Sequence, residues 1–204
     1  MKIEFKNVNF NYENDIVFEN LNLSINSGEF VGLIGNNGTG KTTIIKLIAN
    51  IVKPKGGEII NTFSSIGYLS QINFNKRNAF SANVREIVSL GLKKKPFQFV
   101  SKAEYQKVDD ILKKMGLYEL RNRRMDELSG GQQEKVRFAE VILSNPDLIL
   151  LDEPTSGIDE DSKREIKHLL KSLNERGKTI IMVSHMQEDF PSGVRFIDLD
   201  KGVK

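Results

Sequence analysis

Apolar residues alternate with polar ones at the start of the chain. Ile3, Phe5, Val8, Phe10 and Tyr12 follow a two-residue period with one skipped step, which predicts a half-buried strand carrying a bulge. A second strand is expected over residues 21–25, followed by a turn at 26–29. The pattern then becomes a continuous apolar run, Phe30–Ile34, ending at Gly35. Such a run fits a strand covered on both faces. Ile44, Ile45, Leu47 and Ile48 next fall within a short helix over 41–50, closed by a turn that contains Pro54. Strand, glycine loop and helix in that order make a phosphate-binding unit.

Beyond Gln71 the pattern changes. A basic run at 93–95 precedes Pro96, and Val108, Ile111, Leu112 and Met115 mark an amphipathic helix stopped by Gly116. This middle stretch, about 72–145, reads as a helical insert. Strand–helix alternation returns with the apolar run 148–151 and a helix bearing Ile166, Leu169, Leu170 and Leu173, stopped by Gly177. The last strands are expected over 179–183 and 194–199. No internal repeat is evident, so residues 1–204 read as one domain.

Composition narrows the function classes. A chain of 204 residues suffices for one α/β domain with a full core. Thirty basic against 27 acidic residues leave a net charge of +3, too small an excess to indicate a nucleic-acid partner. Cysteine is absent, which excludes a disulfide framework and a thiolate metal site. The N-terminus lacks the apolar core of a signal peptide. No apolar stretch approaches the roughly 18 residues that cross a bilayer, so any membrane role would run through a partner.

The chemistry concentrates in three places. Gly35, Asn36, Asn37, Gly38, Thr39, Gly40, Lys41 and Thr42 fit the P-loop pattern G-x-x-x-x-G-K-[ST] in full, and Thr43 continues it into the helix. Its glycines let backbone amides turn toward phosphate oxygens, and the following helix directs its positive end at them. Lys41 reaches the β- and γ-phosphates and the Thr42 hydroxyl suits Mg²⁺. A P-loop alone does not separate ATPases, GTPases and small-molecule kinases. The buried run 148–151 then ends in Asp152 and Glu153, which places one acid near the Mg²⁺ shell and the other where it can orient or deprotonate a water. Third, Leu128, Ser129, Gly130, Gly131 and Gln132 open another helix, a second anion site of the same physical kind.

That third segment matches the LSGGQ signature, and with the P-loop it makes the chain resemble the ABC-family ATPases over essentially its whole length. The resemblance implies an α/β fold: a P-loop NTPase core with a mainly parallel sheet, an N-terminal antiparallel β subdomain and an inserted helical subdomain bearing the signature. It implies ATP and Mg²⁺ as ligands and a head-to-tail dimer in which Ser129, Gly130, Gly131 and Gln132 of one subunit cap the γ-phosphate held by the other. Tyr12 resembles the aromatic residue that stacks on adenine. Gln71 resembles the Q-loop glutamine that contacts Mg²⁺ or water, and Ser156, Gly157, Ile158 and Asp159 resemble the D-loop that crosses to the opposite subunit. His185 resembles the H-loop histidine near the γ-phosphate. The sequence departs from the family pattern at Lys135 and Glu140, where arginines are usual, and at Met186, where an acid commonly follows the histidine.

The resemblance further implies catalysis by Glu153, His185 and Gln71, a metal shell of Thr42, Gln71 and Asp152, and partners in a second ATPase subunit and a transmembrane permease. Location would then be cytoplasmic, on the inner face of the membrane through that permease. Residues 67–71 and 80–88, with the opening 28–35, resemble the corresponding regions of zinc and manganese importer ATPases, which implies metal-ion import and a substrate-binding protein as a further partner. A soluble non-transport ABC ATPase and an exporter subunit are the alternatives. A guanine-reading N-K-x-D is absent at 75–78, which argues against a GTPase.

Overall fold

The computed structural model describes residues 1–70, 82–92, 99–155 and 158–200. Two sheets form. Strands β1 (Lys2–Tyr12) and β2 (Asp15–Asn26) pair antiparallel, and β4 (Gly56–Asn61) pairs antiparallel with the other side of β1. The predicted bulge is present: the β1–β2 register shifts between Phe5 and Val8, where Asn7 takes φ 48°.

The second sheet runs β5-β6-β7-β3-β8, with β5 at Ile66–Leu69, β6 at Leu148–Asp152, β7 at Thr179–Val183, β3 at Phe30–Ile34 and β8 at Arg195–Asp198. Every neighbouring pair in it is parallel. Helices are α1 (Lys41–Ile48), α2 (Val84–Ser89), α3 (Lys102–Lys114), α4 (Gly130–Leu143) and α5 (Glu160–Glu175).

Period-two alternation divides the buried strands between two cores. Leu148, Leu150, Ile181, Val183, Val31 and Leu33 face the antiparallel sheet and α1, where Ile3, Phe5, Ile44 and Ile45 meet them. Ile149, Leu151, Ile180, Met182 and Phe30 face the helical side, against Val136, Phe138, Ile166 and Leu170. The parallel sheet is thus covered on both faces, as the unbroken apolar runs in β3 and β6 require. Gly32 is dictated by packing, since a Cβ there would lie 2.8 Å from the rings of Phe190 and Phe196.

Strands β4 and β5 were not anticipated. Each is short and starts or breaks at glycine (Gly56, Gly57; Gly67), so neither displays enough alternation to read without its partner strand. In the first core helix, regular structure stops at Ile48 rather than residue 50. Parallel pairing brings the C-terminal ends of β3, β6 and β7 side by side, the usual position for a ligand crevice in such sheets.

Candidate active site

The loop after β3 is shaped for phosphate. Gly40, the residue before α1, has φ 90°, and a Cβ there would meet the Phe18 ring at 2.3 Å, so only glycine fits. Lys41 is 6% exposed, and its Nζ donates to the carbonyl oxygens of Gly35 and Asn36 at 2.7 Å each. An ammonium has three protons, so these two bonds leave a third for another acceptor. Thr39 Oγ1 donates to Asn36 O at 3.0 Å, closing the turn from within.

Below the loop, Thr42 Oγ1 donates to Asp152 Oδ1 at 3.0 Å, joining the start of α1 to the end of β6. Asp152 is only 3% exposed. Its burial raises the carboxyl pKa, and the neighbouring Glu153 charge raises it further, while the Thr42 hydrogen bond, Lys46 and Lys41 oppose the shift. A desolvated carboxylate beside a hydroxyl is a pair of hard oxygen donors, the chemistry that suits Mg²⁺.

Glu153 sits one residue beyond the strand in a left-handed conformation, φ 52°, which is costly for a residue with a Cβ. Its amide donates to Val183 O at 3.1 Å, which locks the strand tip to β7. The turned backbone brings Glu153 Oε1 within 2.6 Å of His185 Nε2. Tyr12, Val17, Asn37, Gly38, Gly40, Lys41, Thr42, Thr43, Glu153 and His185 line one open cleft of about 290 Å³. Tyr12 is 43% exposed at its mouth and packs edge-on against Phe10, leaving a ring face for a planar base.

The second anion site stands apart from this cleft; none of Ser129, Gly130, Gly131 and Gln132 lines it. Ser129 and Gln132 form a capping box on α4, with Gln132 N donating to Ser129 Oγ at 3.3 Å and Ser129 N to Gln132 Oε1 at 3.0 Å. Helix geometry leaves the Gly130 and Gly131 amides without acceptors inside α4, and Ser129 and Gly130 are exposed. Asp159 caps α5 through Ser162 N at 2.9 Å, and a Cβ on Gly131 would lie 3.3 Å from its Oδ2. The Ser162 amide bond holds the Asp159 carboxyl below its ordinary pKa.

A sequence profile described as ABC transporter matches residues 18–156. The chain belongs to the ABC transporter family. It is 35% identical to the zinc uptake system ATP-binding protein ZurA of Listeria innocua over 90% of this chain and 76% of that one. It is also 35% identical to the high-affinity zinc uptake system ATP-binding protein ZnuC of Bacillus subtilis, over 99% and 92%. Among solved structures, a metal-chelate type ABC transporter in an inward-facing conformation superposes with TM-score 0.84 at 29% identity, covering 97% of this chain and 79% of that one. A dimeric ATP-binding cassette in a post-hydrolysis state, bound to ADP and Pi, superposes with TM-score 0.81 at 30% identity, covering 96% and 93%.

The protein is therefore an ABC ATPase, an ATP-binding cassette with the P-loop fold expected for it. Gln71, Ser156 and Gly157 lie outside the described residues. Three contributors to this cassette's site were not foreseen. Val17 joins the cleft wall because β2 begins at Asp15, earlier than predicted. Asp200 accepts from the Asn36 amide at 3.0 and 3.2 Å and steadies the loop from behind. Arg137, in the signature helix, donates to the carbonyl of Ser70, the residue before Gln71. The alternation of β2 gave a signal for the first; the other two are contacts between distant segments with no local pattern. Among the described residues, no helix is long and apolar enough to cross a membrane.

Proposed function

We propose that this cassette hydrolyses ATP as one half of a head-to-tail, nucleotide-sandwiching dimer and thereby drives metal-ion import through a separate membrane permease. The observation that carries the reading is the division of labour within one chain. The P-loop, Thr42 and the Glu153–His185 pair line one cleft, with Asp152 bonded to Thr42, whereas the helix start at Ser129 does not line it, which supports its serving another copy's nucleotide.

ATP would stack its base on Tyr12 and lay its phosphates along Gly35, Asn36, Asn37, Gly38, Thr39, Gly40, Lys41, Thr42 and Thr43. Thr42 and Asp152, with Gln71, would hold Mg²⁺, which when bound neutralises charge spread over the phosphate oxygens. Dimer closure would add Ser129, Gly130, Gly131 and Gln132 of the partner, with Asp159 at the crossing loop, to complete the electrostatic cage. Glu153 takes the proton of the attacking water, and His185 turns from Glu153 to the γ-phosphate. Helices α2, α3 and α4 belong to the inserted segment, about 72–145, which faces the permease. The similarity to the zinc uptake ATP-binding proteins supports metal import, a peripheral position on the cytoplasmic face and a substrate-binding protein in the assembly.

Glu153→Gln keeps the shape of the side chain and removes the base. Turnover is expected to fall by about 10²–10⁴-fold with ATP binding retained. Steady-state ATPase and nucleotide-titration measurements check this; turnover within a factor of about three of wild type would remove Glu153 from the mechanism.

A further inference from the structure

The residue after His185 is Met186, which is exposed and has no charge to offer. The loop nevertheless brings an acid back to this point. Gln187–Asp189 form a single 3-10 turn, closed by the Asp189 amide donating to Met186 O at 3.2 Å. The turn places Asp189 Oδ2 where the Ser184 hydroxyl donates to it in a short hydrogen bond. The same hydroxyl accepts from the Met186 amide at 3.2 Å. One side chain therefore spans His185, from Ser184 before it to Met186 and Asp189 after it, and it is anchored, because Ser184 is 3% exposed and directly follows β7.

Asp189 also faces a second element. Its Oδ1 lies 4.0 Å from Lys163 Nζ, which bonds Glu160 Oε1 at 2.9 Å in the first turn of α5. The Asp189 side chain is 13% exposed, so this contact is only partly open to water. Asp159 caps the same turn of α5, and a Cβ on Gly131 at the start of the signature helix would lie 3.3 Å from its Oδ2. We infer that Asp189 is a positioning residue for ATP hydrolysis: through the Ser184 hydroxyl it fixes the backbone that presents His185 to Glu153, and through Lys163 it joins that loop to α5. The inference rests on the reading of Glu153 and His185 given above.

The physical consequence is specific. The His185 side chain is 47% exposed, so little packing holds it apart from its own backbone. Releasing that backbone would let the imidazole wander while the P-loop, Lys41 and Thr42 stay in place. Turnover then suffers and ATP affinity does not.

The test compares kcat, KM, ATP affinity by fluorescent-nucleotide titration, and Tm for Asp189→Leu, Asp189→Asn, Ser184→Ala, the double variant Ser184→Ala/Asp189→Leu, and His185→Ala. Asp189→Leu is expected to lower kcat about tenfold with ATP affinity within about twofold of wild type. Asp189→Asn, which keeps an oxygen acceptor for Ser184, recovers most of that loss. Ser184→Ala matches Asp189→Leu, and the double variant is no worse than either single one, because both break the same link. Wild-type kcat in a folded Asp189→Leu, a parallel fall of kcat and ATP affinity, or an Asp189→Asn as slow as the leucine variant overturns the inference. Should Asp189→Leu not fold, Ser184→Ala with Asp189→Asn decides by the same criteria. If His185→Ala turns over like wild type, the role of His185 itself falls; if it is inactive while Asp189→Leu is fully active, only the positioning role falls.

Discussion

Asp152 is a residue at which folding and the proposed Mg²⁺ binding would pull in opposite directions. Burial raises its pKa first, and Glu153 adds to the shift. A carboxyl whose folded pKa is raised binds more protons in the folded than in the unfolded chain. Its contribution to stability is therefore most favourable below the ordinary Asp value and is lost as pH rises through the window up to the raised pKa. Asp152→Asn removes this titration while keeping an oxygen for Thr42. Without nucleotide, the Tm of the wild type should decline relative to that of Asp152→Asn as pH rises from about 4, the ordinary Asp value. A difference that stays constant as pH rises contradicts the claim. With Mg²⁺ and ATP the order should reverse, because the anion then has a ligand to hold. At this scale the sequence was informative where chemistry follows spacing: Lys41, Thr42, Glu153 and His185 line one cleft, and Asp152 accepts from Thr42 beside it. The left-handed turn at Glu153 was not legible, since it is imposed by the Val183 carbonyl across the sheet rather than by any local signal.

Among the elements, α4 carries two of the three departures from the family pattern, Lys135 and Glu140. Lys135 pairs with Glu165, which ties the signature helix to α5. Arg137 is 8% exposed, pairs with Glu134 at 3.1 Å and donates to Ser70 O, which ties the same helix to the end of β5. Glu134 and Glu140 both have raised pKa values from burial, with Arg137 opposing the shift in each. Arg137→Ala would leave the Ser70 carbonyl and Glu134 without this donor. A loss of about 1.5–3 kcal/mol is expected, the usual worth of a charged hydrogen bond, read by chemical denaturation. A loss below about 0.5 kcal/mol would make the contact a surface-like one. Helices with long periodic faces, α3 and α5, were readable because Val108, Ile111 and Leu112, or Ile166 and Leu170, repeat on one side. Strand β5 was not: its residues gain their meaning only when Ile66 pairs with Leu148 and Gly67 slides under Val141 and Pro146.

At the scale of the whole molecule, two cores on opposite faces of one parallel sheet bring the P-loop, the β6 tip and the loop after β7 to one edge. The signature helix packs on the far core, and its first residues do not line the cleft at that edge. In the proposed dimer, each copy would complete the other's nucleotide site. The most direct measurement is the solution mass of Glu153→Gln by light scattering, with and without ATP and Mg²⁺. Blocking hydrolysis should leave the nucleotide bridge standing, so the mass doubles with ATP. Adding Ser129→Arg, which fills the exposed start of α4, should return it to the monomer mass while ATP still binds. A Glu153→Gln protein that stays monomeric with ATP bound, or a dimer indifferent to Ser129→Arg, would contradict the shared-nucleotide account.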